Sequence, residues 1–196
     1  MRQVLFVQGG GAGVHDQWDN QLVDSLRREL GSGYEIRYPA MPNEADPKYA
    51  AWARALEREF TVLDPGAIVV GHSVGATILI HFLAERARQS SLGSICLIAA
   101  PFVGAGGWES EDIEEHSDLG ARLPPDIPIF LYQGMNDDTV PLEHIELYAR
   151  AIPRAHVRRL ANRDHQLNND LSEVASDIQR LGYDSSREQV GMAQRR

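Results

Sequence analysis

Gly71-His72-Ser73-Val74-Gly75 is the stretch that decides the fold of this 196-residue chain. It follows the apolar run Ala67-Ile68-Val69-Val70 and precedes a long apolar segment that starts at Ala76. A strand, a sharp turn and a helix are the context of a G-x-S-x-G nucleophile elbow, which lifts the serine hydroxyl above the sheet edge. Glycines on both sides leave room for the close approach of chain in such a turn. The pattern therefore predicts that Ser73 is a nucleophile.

Composition limits the class of protein. The chain has 43% hydrophobic and 24% charged residues, as ordinary soluble domains do, and its formal net charge is −9. Nucleic acids and anionic membranes attract clustered Lys and Arg, so neither is expected as a partner. The single cysteine, Cys96, lies in an apolar run and indicates neither a disulfide framework nor a metal site. We find no secretion signal and no run of membrane-spanning length, and we expect a cytoplasmic protein.

Apolar strand candidates alternate with helical segments along the chain. The candidates share a mostly non-alternating composition rich in Val, Ile and Leu: Val4–Gln8, Tyr34–Tyr38, Ala67–Gly71, Ser94–Ala99, Ile127–Gln133 and His156–Leu160. Such strands are typical of parallel sheets that are buried on both faces. The alternation predicts an α/β fold with three layers, an open sheet of about six parallel strands with helices on both faces. We expect one domain over residues 1–182 and a polar, frayed tail over 183–196.

The first helix shows a recognisable start. Asp16 is a candidate N-cap, and the apolar spacing after it predicts a helix that buries Trp18, Leu22, Leu26 and Leu30 and stops at Gly31.

One connection is longer than the others. From Pro101 to Pro125 the chain is first rich in glycine and then acidic. A loop of this length between buried strands is typically a lid or a binding segment. The equal alternative is a short solvated helix with an acidic face. We expect a short lid-like insertion at about residues 101–125, with Trp108 as a candidate for the lining of a pocket.

Partners for Ser73 are expected at the carboxyl ends of later strands, where open parallel sheets bind their ligands. His165 follows the last strand and is interpreted as the general base that takes the serine proton. Asp137 follows the preceding strand in Gly134-x-x-Asp137-x-x-Val140-Pro141 and is interpreted as the carboxylate that orients the base. The chain order Ser, Asp, His is that of hydrolases with a nucleophile elbow.

Other residues compete for these roles. Asp138 and Asp164 are alternatives to Asp137, which we favour because it lies at the first turn after its strand. His72 competes for the role of base by proximity, but adjacent side chains at a sharp turn point apart, and we expect it to support the elbow. His15 comes too early for the chain order and is a candidate for the lining of the pocket.

Acyl transfer also needs two N–H donors for the oxyanion. One is expected at Val74, the residue after the nucleophile, and the other at Gly10, in the glycine run after the first strand. The same glycines match a dinucleotide-binding loop poorly, since the third glycine of G-x-G-x-x-G would fall on Val14. No cofactor and no metal ion are expected.

These motifs resemble those of the α/β-hydrolase superfamily over nearly the whole chain, from Val4 to Leu181. Gln8-Gly9-Gly10-Gly11 is similar to the family's His-Gly-x-Gly strand end, with Gln8 where histidine is usual. In size the chain is similar to the small retinoblastoma-binding-protein-type serine hydrolases. The resemblance implies hydrolysis of esters, thioesters, amides or lactones without a cofactor.

The sequence thus predicts a serine hydrolase that forms an acyl-enzyme with a small-molecule acyl substrate. We favour a carboxylesterase that acts on small or medium uncharged esters. Thioesterase or peptidase activity on the same residues is an alternative, and so is a ligand-sensing or protein-binding module with weak turnover. The acidic insertion disfavours strongly anionic substrates such as coenzyme A thioesters. No oligomeric state is favoured.

Overall fold

A parallel sheet forms the centre of the molecule in the computed structural model, which describes residues 1–86 and 91–181. Its strands are β1 Arg2–Val7, β2 Tyr34–Arg37, β3 Ile68–His72, β4 Ser94–Ile98, β5 Ile129–Gly134 and β6 His156–Leu160. They form one six-stranded sheet in the order β2-β1-β3-β4-β5-β6, and each pairing is parallel. All six carboxyl ends therefore lie at the same edge. The predicted α/β sheet is confirmed.

Helices cover both faces of this sheet. They are α1 Asn20–Leu30, α2 Tyr49–Phe60, α3 Ser73–Arg86, α4 Leu119–Arg122, α5 Glu143–Ala151 and α6, which spans residues 172–181. The apolar sides of α1 and α6 pack on one face of the sheet, and those of α2, α3 and α5 pack on the other. The predicted tail at 183–196 lies outside the described residues.

Burial explains why the centre of the sheet is so apolar. Every residue of β3, β4 and β5 is buried, because helices cover both sides of these strands. The edge strand β6 is instead only partly buried and carries Arg158 and Arg159, charged residues that protect an open edge from pairing with another chain. The elbow helix α3 is apolar around its whole circumference and is the most deeply buried helix.

The start of the first helix differs from the prediction. Val14–Asp19 forms a π-helical segment whose N-cap is Gly13, and the α-helix begins only at Asn20. The wider π turn shifts the side chains relative to α-helical spacing. As a result Trp18 is 55% exposed, whereas Asp19 is completely buried. The predictions that Asp16 caps this helix and that Trp18 is buried are wrong.

The insertion at residues 101–125 has two different halves. Its second half contains α4 and buries Leu119 and Leu123 in the core, so it is not a solvated helix. Its first half is more exposed and is attached at two helix starts. The Asp112 carboxylate accepts a hydrogen bond from the Tyr49 amide (2.7 Å) at the start of α2. The Phe102 amide donates to His144 Nδ1 (2.7 Å) near the start of α5.

The elbow is pressed against the end of β1. A Cβ atom added at Gly75 would lie 1.9 Å from the carbonyl oxygen of Gln8, and one added at Gly71 would lie 2.6 Å from the Cα atom of Ala76. Both obstacles are backbone atoms, which cannot turn aside as a side chain can. Glycine is therefore required at both positions.

Gly75→Ala is expected to lower the free energy of unfolding by about 1–3 kcal/mol, and by more if β1 cannot shift away. Gly33→Ala is the matched control, because a Cβ atom at Gly33 would meet nothing within 4 Å. Urea unfolding followed by circular dichroism measures both variants. Equal stability of the two variants would contradict the close approach of the elbow to β1.

Candidate active site

Ser73 lies at the turn between β3 and α3 in a strained conformation. Its φ angle is +52°, in the left-handed region that residues with a side chain rarely adopt. Such strain persists only where surrounding structure enforces it, and it clusters at functional sites. Here the fully buried strand β3 and the buried helix α3 hold the turn from both sides. The serine is thus fixed at the carboxyl edge of the sheet.

His165 and Asp137 continue from Ser73 in one chain of hydrogen bonds. His165 Nε2 lies 3.1 Å from Ser73 Oγ, and His165 Nδ1 lies 2.9 Å and 3.1 Å from the two carboxylate oxygens of Asp137. An ionised carboxylate only accepts hydrogen bonds, so the proton of the neutral ring belongs on Nδ1. Nε2 is then free to accept the proton of the serine hydroxyl.

Several donors hold the Asp137 carboxylate in place. Oδ1 accepts the amides of Thr139 (2.9 Å) and Val140 (2.8 Å), and Oδ2 accepts Gln133 Nε2 (3.3 Å). Burial by itself raises the pKa of Asp137. The hydrogen bond from His165 and the two amides outweigh burial and hold this pKa below its ordinary value. Asp137 therefore stays ionised at neutral pH.

The competing residues have other partners. Asp138 is exposed and contacts the Thr139 hydroxyl (3.3 Å). Asp164 Oδ1 accepts the amide of Asn168 (2.7 Å) and so shapes the turn that follows it. His72 directs its two ring nitrogens to Asp19 and to the carbonyl of His165. His165 thus contacts the Ser73 hydroxyl and Asp137 contacts His165, whereas within residues 1–86 and 91–181 none of these competitors hydrogen-bonds to the hydroxyl.

The loop after β1 lies beside the start of α3. A Cβ atom added at Gly10 would lie 2.8 Å from Val74 Cγ1. The Gly9 amide donates to Asp19 and the Gly11 amide to a carbonyl oxygen, whereas within residues 1–86 and 91–181 the Gly10 amide donates to no protein group. The Val74 amide belongs to the first turn of α3, where amides have no partner inside the helix. Two neighbouring amides are therefore available beside Ser73.

The Gln8 side chain fixes the conformation of the loop after β1. It occupies the position where histidine is usual in the superfamily that the sequence resembles. Its side-chain oxygen accepts the amide of Met41 (2.9 Å), and its Nε2 donates to the carboxylate of Glu44. Glu44 also accepts the amides of Gly13 (2.6 Å) and His15 (2.9 Å). Sequence reasoning missed Glu44, because it lies in a polar connection with no motif and reaches the loop only in the folded chain.

The two predicted pocket-lining residues pack elsewhere on the same edge. His15 stacks on Tyr38 with ring centroids 4.2 Å apart, and Trp108 packs edge-on against His144 at 5.1 Å. In the described part of the chain neither residue hydrogen-bonds to Ser73, His165 or Asp137 or stacks on His165. Their role in a substrate pocket beside Ser73 stays a prediction.

A recess of about 440 Å³ lies in the insertion and is lined by residues 103–110 with Ile113 and Glu115. Ser73, Asp137 and His165 do not line it.

Among the described residues, no group of three or more His, Cys, Asp or Glu side chains could hold a metal ion. In the same residues, no helix has the length and apolar character needed to cross a membrane.

Comparison with known proteins decides the family. The family model described as serine hydrolase matches residues 5–170. The chain belongs to the serine hydrolase family. YdeN of Bacillus subtilis strain 168 is 26% identical to this hydrolase over 98 residues, which make up 50% of each protein. The chain thus matches about half the length of this curated relative.

Solved structures show the fold of this serine hydrolase more completely. The ydeN gene product of B. subtilis has a TM-score of 0.75 at 19% identity, over 93% of this chain and 100% of that one. The meta-cleavage product hydrolase CumD of Pseudomonas fluorescens IP01 has a TM-score of 0.70 at 14% identity, over 96% and 92%. The esterase domain of a Rhodothermus marinus protein has a TM-score of 0.62 at 18% identity, over 90% and 84%. The fold is that of the α/β-hydrolases.

The lowered pKa of Asp137 determines how stability should depend on pH. A carboxyl whose folded pKa lies below its unfolded value of about 3.9 stabilises the fold above that value, and this stabilisation is lost as the pH falls through the folded pKa. Asp137→Asn is therefore expected to flatten the acid limb of the stability curve below about pH 4.

The free energy of unfolding in urea, measured between about pH 2 and pH 6, tests this expectation. Asp138→Asn is the matched control, since the neighbouring carboxylate has no histidine partner in the described structure. An acid limb in Asp137→Asn that is as steep as in the wild type and in the control would contradict an ionised, histidine-bound Asp137.

Proposed function

We propose that this serine hydrolase is a carboxylesterase that cleaves small or medium uncharged esters through an acyl-enzyme intermediate. The observation that carries the proposal is the unbroken hydrogen-bond chain from Asp137 through His165 to Ser73, at an elbow where the serine has a φ angle of +52°. A nucleophile, a base in reach of it and a carboxylate that orients the base are the parts that acyl transfer requires.

Each part has a defined task in the first half of the reaction. Ser73 Oγ attacks the ester carbonyl carbon while His165 Nε2 takes the hydroxyl proton. Asp137 stabilises the imidazolium that forms, and the amides of Gly10 and Val74 donate to the oxyanion. The tetrahedral intermediate collapses when His165 returns the proton to the leaving alcohol. The acyl group then remains on Ser73.

Deacylation reverses these steps with water. His165 removes a proton from a water molecule, the resulting oxygen attacks the acyl carbon, and the same two amides hold the oxyanion again. Collapse returns the proton to Ser73 and releases the carboxylic acid.

Charge supports the choice of an uncharged substrate. The chain carries a formal net charge of −9. The insertion at 101–125 adds acidic side chains that are mostly exposed: Glu109, Glu111, Asp112, Glu114 and Glu115. Like charges disfavour an anionic acyl or leaving group that approaches them. The Rhodothermus marinus esterase domain has the same fold at 18% identity and is one example of ester hydrolysis on this fold. The preference for uncharged substrates rests on the charge of this chain.

The insertion is proposed to border the substrate site as a lid-like segment. In a parallel sheet, the helix that follows a strand begins near the carboxyl edge, where ligands bind. The hydrogen bonds of Asp112 and Phe102 attach the insertion to the starts of α2 and α5, which follow β2 and β5. Both attachments thus lie at the edge that carries Ser73.

Ser73→Ala is expected to lower the hydrolysis of p-nitrophenyl esters by roughly 10³-fold or more, because it removes the attacking oxygen. A fluorophosphonate probe is expected to label the wild type once, at Ser73, and to leave the variant unlabelled. The control is Ser32→Ala, at an exposed serine between two glycines far along the chain from the elbow. Labelling is located by mass spectrometry of peptides, and turnover is measured from released p-nitrophenol.

Three results would contradict the proposal in different ways. Unchanged turnover in Ser73→Ala would remove the nucleophile. A higher kcat/KM on acyl-thioesters or peptide amides than on matched esters would keep the nucleophile and overturn the esterase assignment. Single labelling at Ser73 with turnover of no substrate in an ester, thioester and amide panel would favour a ligand-sensing module.

A further inference from the structure

A second Asp–His pair lies directly behind the first. His72 is the last residue of β3, and its side chain is 2% exposed, while the side chain of Asp19 is completely buried. His72 Nδ1 lies 3.0 Å from Asp19 Oδ2. The rings of His72 and His165 have centroids 4.9 Å apart, inclined at 52°. The reaction described above moves no proton through this pair.

Both nitrogens of His72 face hydrogen-bond acceptors. Nδ1 meets the Asp19 carboxylate, and Nε2 lies 3.1 Å from the backbone carbonyl oxygen of His165. A neutral imidazole has one N–H, so one nitrogen would place its lone pair against an oxygen in a buried site. Only the imidazolium form donates to both oxygens at once. The geometry therefore assigns a positive charge to His72.

Asp19 has the matching negative charge. Its Oδ2 also accepts the Gly9 amide (2.7 Å), and its Oδ1 accepts Gln166 Nε2 (3.3 Å). All these partners are donors, as an ionised carboxylate requires. A buried charge is tolerated when an opposite charge and hydrogen bonds compensate it, and here each charge compensates the other.

The electrostatics of the pair agree with this geometry. Burial lowers the pKa of His72, but the charge and hydrogen bond of Asp19, with the carbonyl of His165, outweigh burial and raise it. Burial raises the pKa of Asp19, but the charge and hydrogen bond of His72 and the Gly9 amide outweigh burial and lower it. The titratable groups that face His72 are Asp19 from the π-helical segment, His165 from the loop after β6 and Asp137 from the loop after β5.

The pair connects the three segments that must meet for acyl transfer. Gly9 precedes Gly10, whose amide is the proposed oxyanion donor. His72 precedes Ser73 on the elbow. The carbonyl of His165 and the side-chain amide of Gln166 belong to the loop after β6, called the base loop, and Gly9 and Gly10 belong to the loop after β1, called the oxyanion loop. A Cβ atom added at Gly9 would lie 3.2 Å from His72 Nδ1 and 3.3 Å from Ser73 Cβ, so these segments are in direct contact.

We propose that Asp19 and His72 are positioning residues, a buried ion pair that keeps its proton throughout turnover and holds the base loop and the oxyanion loop in register with Ser73. This role rests on the proposed function of Ser73, His165 and Asp137. The charge state of the pair does not rest on it and can be measured in the resting protein.

The first measurement determines the charge of His72 in the wild type. Nitrogen-15 NMR of protein labelled at histidine is expected to show both ring nitrogens of His72 protonated at pH 7, above the ordinary histidine pKa of about 6.5. His72→Gln identifies the signal. A single protonated nitrogen at pH 7 would overturn the ion pair, whether or not the protein hydrolyses esters.

The second measurement tests positioning through Asp19→Asn. An asparagine carries no charge, so His72 loses its counter-ion and its ring is expected to be neutral. A neutral ring has one N–H and can donate to only one of its two acceptors, which weakens the contacts that hold the base loop. We expect kcat on p-nitrophenyl esters to fall roughly 10- to 100-fold with a smaller change in KM, and fluorophosphonate labelling of Ser73 to slow in proportion.

Asp177→Asn is the matched control for a lost buried carboxylate. Asp177 is 5% exposed and binds Arg158 and the Tyr132 hydroxyl from α6, outside the site. Its substitution is expected to lower stability but to leave kcat and labelling near wild-type values. Equal kinetics of the two variants, measured where both are folded, would overturn the positioning role. Failure of Ser73→Ala to affect turnover would instead overturn the proposed function and leave the NMR result standing.

Discussion

The close approach of the elbow to β1 is the constraint on which the rest of the site depends. Ser73 is held at a φ angle of +52°, a conformation that costs of order 1–3 kcal/mol for a residue with a side chain. The apolar burial of β3 and α3 offsets that cost. Because Gly75 has no Cβ, the elbow can press on the carbonyl of Gln8. The same contact places Gly10 beside Val74, so the strain at Ser73 and the two amides available next to it have a common origin.

Two Asp–His pairs share the interior of this site and differ in what surrounds them. The ring of His165 is 15% exposed and has one acceptor on Nδ1 and a hydroxyl on Nε2, so its protonation can change during a reaction. The ring of His72 is 2% exposed and has an acceptor on each nitrogen. The Asp137–His165 pair is suited to exchange a proton, whereas the Asp19–His72 pair is suited to keep one. The ring centroids of His72 and His165 are only 4.9 Å apart, so the two pairs are close neighbours.

Local sequence predicted those features that local rules determine. The parallel sheet followed from buried apolar runs, and the glycines around Ser73 marked a turn that few other residues permit. The chain order placed Asp137 and His165 after late strands, and the structure brings both to Ser73. The family of the chain was predicted from these motifs and is confirmed.

Features that depend on tertiary contacts were missed or predicted incorrectly. Helical spacing indicated a buried Trp18, but one π-helical segment exposes it and buries Asp19 instead. The π turn changes which side chains face the core, and no local sequence pattern indicates it. Asp19 was therefore not identified as the partner of His72. Glu44 reaches the glycine loop from a polar connection for the same reason. Charge alone suggested a solvated insertion as an alternative, yet its second half buries Leu119.

We propose that Ser73 carries the acyl group during turnover. Intact-mass spectrometry of the wild-type protein, quenched with acid during hydrolysis of a p-nitrophenyl ester with a bulky, slowly released acyl group, tests it most directly. If Ser73 carries the acyl group, we expect an adduct of one acyl group per chain that maps to the peptide containing Ser73 and disappears as substrate is exhausted. Sustained turnover without an adduct, or an adduct on another residue, would contradict the role of Ser73 as the nucleophile.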